Sequence, residues 1–159
     1  AAAGDAALRA RSRAVVPAYD RAAAAVPYNA DYPYRAARAV LFTGGPPAEA
    51  RRRLEAAIAT DPTNIRYRLT LAQFALRQPT PDRATVRGQY DAILSLDPNN
   101  VDLRLEYAHI LETFGDRPAA LAQYRAALAA NAGLSPDEPK RLPPERLRVI
   151  EERVRDLER

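Results

Sequence analysis

Two Asp-Pro dipeptides, Asp61-Pro62 and Asp97-Pro98, share a spacing with Pro27, so that successive prolines lie 35 and 36 residues apart. Proline disfavours helix at the residue before it yet suits the first turn of one, so each of these prolines closes one helix and opens the next. Between them the side-chain sizes recur in a frame of about 34 residues. Position 8 holds Ala37, Ala72 and Ala108; position 20 holds Ala50, Val86 and Ala120; position 27 holds Ala57, Ile93 and Ala127. Bulky residues fill position 24 as Leu54, Tyr90 and Tyr124. Helix backbones approach closely only where side chains are small, and larger neighbours fill the space that remains. The pattern predicts helix pairs over 30–61, 64–97 and 100–131 in one domain spanning 1–159. The frame is kept by one inserted residue in "TGGPPAE" and two in "RQPTPDR", both in turns, where added length is tolerated.

The ends follow the same logic. Val15, Tyr19 and Ala22 match positions 20, 24 and 27, which predicts a helix or half repeat over 5–26, kinked or restarted at Pro17. After Asn131 the frame fails. A helix over 143–158 then places Leu147, Ile150, Val154 and Leu157 on one face, as a stack needs where its last pair has no neighbour. A length of 159 residues with 47% apolar content is enough to bury a core.

The small residues at positions 8, 20 and 27, with Gly44 and Gly115 at the turns, resemble the tetratricopeptide (TPR) repeat. That resemblance implies an all-α right-handed solenoid of about three helix pairs, with an N-terminal helical extension and a C-terminal capping helix. It also implies a concave groove that binds a protein or peptide. Position 4, usually aromatic in the family, holds Pro33, Arg68 and Arg104, and Ile93 is large for position 27, so locally altered packing is expected. A narrower resemblance covers the edges: "VPYNADYPYRAARAV" and "DEPKRLPPERLRVIEERVRDLE" look like the C-terminal repeat region of bacterial O-antigen ligase and polymerase-like membrane proteins. It implies an extracytoplasmic accessory domain, periplasmic or secreted rather than cytoplasmic, with none of that family's catalytic residues in this chain.

In such a fold the first helix of each pair lines the groove. The partner-binding candidates are Tyr34, Arg35 and Arg38 in the first pair, Arg66, Thr70, Gln73 and Arg77 in the second, and Glu106 and His109 in the third. Phe42, Asp102 and Glu112 share those positions, so the charge turns from basic to acidic along the chain. Arg35, Arg38 and Arg66 can clamp a carboxylate or phosphate with paired hydrogen bonds, or else pair with acids on a solvated face. Tyr28, Tyr32 and Tyr34, between Pro27 and Pro33, are expected to be exposed, either packing the N-terminal helix or forming a contact patch.

Other chemistries lack their parts. There is no cysteine, no G-x-S-x-G or S-x-x-K serine, no Walker loop and no G-x-G-x-x-G, so no catalytic role and no cofactor is expected. Glu106 and His109 form one Glu-x-x-His unit, but a carboxylate-bridged metal centre needs two, and His109 is the only histidine. The net charge of +4 rests on arginine, Lys140 being the single lysine. Arg9/Arg11/Arg13 and Arg51/Arg52/Arg53 cluster, yet consecutive residues fan around a helix, and Glu49 and Glu55 flank the second cluster, so no nucleic-acid partner is expected. No apolar run nears the roughly 20 residues that cross a bilayer. With no methionine and a start at Ala1-Ala2-Ala3-Gly4, the chain is expected to be a processed product or a fragment. The expectation for function is non-enzymatic protein binding, with end-to-end self-assembly into an oligomer or filament as the alternative.

Overall fold

The computed structural model describes residues 10 and 14–159. Residues 5–9 and 11–13 of the expected N-terminal helix, with Arg9, Arg11 and Arg13, lie outside the described residues. Among the described residues there are eight helices and no strand: α1 (Val16–Ala25), α2 (Asp31–Phe42), α3 (Pro47–Thr60), α4 (Ile65–Leu76), α5 (Arg83–Leu96), α6 (Val101–Thr113), α7 (Arg117–Ala132) and α8 (Pro144–Glu158).

Local chemistry sets the helix limits. Pro17 lies in the first turn of α1, where a proline leaves no backbone donor to lose. The turn after α2 reverses at Gly44 with φ +66°, and the turn after α6 at Gly115 with φ +77°, a region that costs an L side chain energy. Side-chain caps start α6 and α7: Asn100 Oδ1 accepts from the Leu103 amide at 3.0 Å, and Asp116 Oδ1 from the Ala119 amide at 3.1 Å. Both Asp-Pro joints carry an internal latch. The Asn64 side-chain amide donates to Asp61 at 3.1 Å, and the Asn100 amide to Asp97 at 2.8 Å.

The chain divides into two compact units, one ending at Gln89 and one running from Tyr90 to Arg159, with the boundary inside α5. In the first unit α1 packs on α2, α2 on α3 and α3 on α4. The small residues at the frame positions make this packing close: Ala37, Ala50 and Ala57 are fully buried, as are Ala36 and the bulky Leu54 that fills the space between the helices. In the second unit α6 packs on α7 and α7 on α8. Its core joins Val101, Leu105, Ala108, Tyr124 and Ala127 to Ile150 and Val154 of α8, so the last helix covers the apolar side of the pair before it. Ile93, large for its position, is fully buried. The loop before α8 is held from inside: Asn131, the buried polar residue of this unit, accepts from the Leu142 amide at 2.7 Å.

One expectation is corrected. Tyr34 is buried at 5% exposure, while Tyr28 is 82% exposed and Tyr32 lies between. The segment from Asp31 is already helical, so residues two apart diverge around the axis, and Tyr34 turns inward against Tyr67 with ring centroids 4.6 Å apart.

Candidate functional site

In the first unit, α2 and α4 present parallel sets of side chains. On α4, Arg66, Thr70, Gln73 and Arg77 follow a spacing of four, three and four residues, which places them in one stripe. On α2 the matching stripe is Asp31, Arg35, Arg38 and Phe42. Arg35, Arg38, Arg66, Gln73 and Arg77 are exposed, and Thr70 is partly so.

The structure draws three of the arginines together. Arg35 Nε donates to the Asp31 carboxylate, and Arg66 approaches the same group at 3.8 Å. The Arg66 guanidinium lies over the Tyr34 ring at 5.1 Å and over Tyr67 at 5.6 Å, and Arg38 lies over Tyr34 at 5.8 Å. Tyr34 is thus the buried base of the cluster, and its hydroxyl meets the Thr70 hydroxyl at 3.3 Å. The hydrogen bond to Asp31 raises the pKa of Arg35 above its ordinary value. Among the described residues no carboxylate is paired with Arg38 or Arg77, so the face keeps an excess of positive charge. Gln73 and Arg77 lie one and two turns beyond Thr70, outside this contact set.

The candidates in the second unit behave differently. Glu106 is exposed but accepts the Tyr90 hydroxyl at 2.6 Å, while the Tyr90 ring stacks on Tyr107 at 4.8 Å. Burial, and then the hydrogen bond to Glu106, push the Tyr90 hydroxyl pKa well up, so the phenol stays a donor. Glu112 receives both Nε and Nη2 of Arg153 from α8, at 2.9 and 2.5 Å, and Asp102 pairs with Arg146 of α8 at 3.1 Å. The Arg153 fork holds the Glu112 carboxyl below its usual range. The acidic side expected on α6 is therefore largely engaged within the unit. His109 stays exposed beside an open cavity of about 480 Å³ shared with Glu112, Tyr124, Val149 and Arg153. Among the described residues no group of three or more His, Asp or Glu side chains is placed to hold a metal ion, and no helix is long and apolar enough to cross a membrane.

The arginine run Arg51–Arg53 is mostly engaged too. Arg51 binds Glu55 at 2.8 Å, Asp82 at 2.7 Å and the Thr85 hydroxyl at 2.7 Å. Arg53 pairs with Glu49 at 2.8 Å and with Asp20, and Arg52 points to solvent.

A repeated contact had no place in the sequence reading. Arg68 Nε donates to the Pro62 carbonyl at 2.8 Å and Nη1 to Gln89 at 3.2 Å; Arg104 Nε donates to the Pro98 carbonyl at 2.8 Å and Nη1 to Gln123 at 2.9 Å. The signal was available, since arginine at position 4 recurs with glutamine at position 23 in the same two repeats. In the first repeat these positions hold Pro33 and Arg53, and Arg53 turns to acids instead.

No family model matches the chain, and no curated protein matches it by sequence. Two crystal structures of MamA are similar in fold. One has a TM-score of 0.60 at 14% identity, over 80% of this chain and 68% of that one. The other has a TM-score of 0.58 at 13% identity, over 89% and 79%. MamA contains tetratricopeptide repeats, and with eight helices and no strand among the described residues the fold is an all-α, TPR-like helical repeat of solenoid type. Neither neighbour is an O-antigen ligase, and the fold lends that narrower resemblance no support.

Proposed function

We propose that the chain is a protein-interaction module that holds an anionic segment of a protein partner against the arginine-bearing faces of α2 and α4. The observation that carries this is the gathering of Arg35, Arg38 and Arg66 around Asp31 and Tyr34, where one carboxylate meets two of the guanidiniums and the third, Arg38, lies over the ring with no acid of its own. Arg66 and Arg38 lie against a rigid ring, so little side-chain freedom remains to be lost when a carboxylate docks. Each guanidinium fork keeps donors free for an incoming acid. Gln73 and Arg77 extend the same stripe, which suits an extended or helical segment more than a compact ligand. The fold shared with MamA is compatible with a scaffold role.

The test is anisotropy of a short fluorescent peptide of alternating glutamate and leucine, measured at low salt. Wild-type protein should bind it, and Arg38→Glu with Arg66→Glu should weaken binding by about tenfold or more while the helical circular dichroism stays unchanged. Equal affinity of variant and wild type would overturn the proposal.

A further inference from the structure

We infer that the segment bound is supplied by a second copy of this chain: the acidic stripe of α8 on one copy seats against Arg35 and Arg38 of α2 on the next, on the side of that arginine cluster where α2 forms a cleft with α1. This rests on the interaction-module reading above and names its partner.

Charge is divided unevenly along the sequence. Up to Gln89 there are 14 arginines against 7 Asp and Glu, a net +7, while from Tyr90 onward 10 Arg and Lys face 13 Asp and Glu, a net −3. Two copies therefore attract most strongly when the first unit of one meets the second unit of the other.

The surfaces also match in detail. In the first unit, Val15, Tyr19, Arg35, Arg38, Ala39 and Phe42 line an open cleft of about 310 Å³. Val15 is 41% exposed and Phe42 53% exposed, so the cleft offers bare apolar area beside two guanidiniums. On α8, Glu145, Val149, Glu152 and Asp156 are spaced by four, three and four residues and all four are exposed. At about 100° per residue they fall within one narrow strip turned away from the buried Val154, and Val149, Glu152 and Asp156 also border the open cavity beside His109. Val149 is 64% exposed, more than the other exposed large hydrophobic side chain of the second unit, Leu96 at 42%.

Two of the arginines beside this strip are drawn away from it, while Arg148 and Arg155 stay exposed on its other side. Arg146 and Arg153 turn to Asp102 and Glu112 of α6, while Glu152 and Asp156 have only loose neighbours, Arg155 at 4.0 Å and Arg159 at 3.5 Å. An acidic helical stripe with one apolar knob complements a basic cleft with an apolar floor, the pattern of a helix laid into a groove. Because the two surfaces differ and belong to different helices, the contact is heterologous, and copies add head to tail into a ring or an open chain.

Sedimentation velocity over a concentration series tests this with the 159-residue chain. At low salt the wild type should grow in mass with concentration, and added salt should reverse the growth. Arg35→Glu with Arg38→Glu should leave a monomer, as should Glu145→Arg with Glu152→Arg. Mixing the two variants should restore association, because each then offers the surface the other lacks. Thermal melts of each variant establish that it folds. A wild type that stays monomeric at every concentration, or association unaltered by both variants, overturns the inference. If the monomeric wild type still captures the glutamate–leucine peptide, the interaction-module proposal stands without it; if it captures neither, both fall.

Discussion

Arg104 reaches back six residues to Pro98 and donates from Nε to its carbonyl oxygen at 2.8 Å, while its Nη1 holds Gln123 on the second helix of the same pair at 2.9 Å. One guanidinium thus ties the joint before a repeat to the far helix of that repeat. Lysine carries one charged nitrogen and cannot span both acceptors. Arg104→Lys and Arg104→Ala should each lower stability by about 1 kcal/mol or more, and Arg68→Ala should act alike through Pro62 and Gln89. Urea unfolding read by circular dichroism measures this; full retention of stability in the lysine variant would show that the fork contributes nothing.

Asp82 starts α5 and binds Arg51 of α3. Arg51, followed by the Thr85 amide and hydroxyl, draws its carboxyl down to about 2. A depressed folded-state pKa contributes stability above the unfolded carboxyl value near 4, and that contribution is lost as pH falls through the folded value. The wild-type melting temperature should therefore fall between about pH 5 and pH 2. Asp82→Asn removes this titration, so it should start lower and show a shallower fall. A variant whose acid limb runs parallel to the wild type would refute the assignment.

Ala108 is fully buried where α6 meets α7 and α8, whereas Ala122 on α7 is exposed. Ala108→Leu should cost about 1 to 3 kcal/mol by overpacking, and Ala122→Leu should stay within about 0.5 kcal/mol of the wild type. The contrast, read in denaturant midpoints, tests whether close helix approach needs the small residue.

Gly44 and Gly115 have positive φ and open space where a Cβ would stand, while Gly133 has φ −77°. Alanine at either of the first two should cost about 1 kcal/mol from backbone strain alone, and alanine at Gly133 should be neutral or mildly stabilising. Equal melting temperatures for all three variants would remove the strain argument.

The helices were legible because their packing leaves a periodic residue in sequence: a small side chain at Ala37, Ala72, Ala108, Ala50, Ala120, Ala57 and Ala127 is a local requirement repeated every few dozen positions. Arg68 and Arg104 were visible as departures from the family pattern. Their purpose was hidden because the acceptors are a backbone carbonyl and a glutamine about 20 residues away. Tyr34 was misplaced for a related reason. A groove position fixes where the Cα stands, but a long ring can lean back onto Tyr67 and leave its place to the Arg38 and Arg66 guanidiniums. The pairing of Arg146 and Arg153 with α6 depends on how the last helix lies on the unit, which its amphipathic pattern alone does not fix.

The stacked rings of Tyr90 and Tyr107 also give the second unit a built-in optical probe. The chain has eight tyrosines and no tryptophan, so phenol absorption and emission are unobscured by indole. A parallel stack held in a fixed asymmetric setting generates a near-ultraviolet dichroic band that vanishes when the rings part. Substituting Tyr107 by leucine would silence that band, so the difference between the two spectra follows the melting of the second unit without a dye.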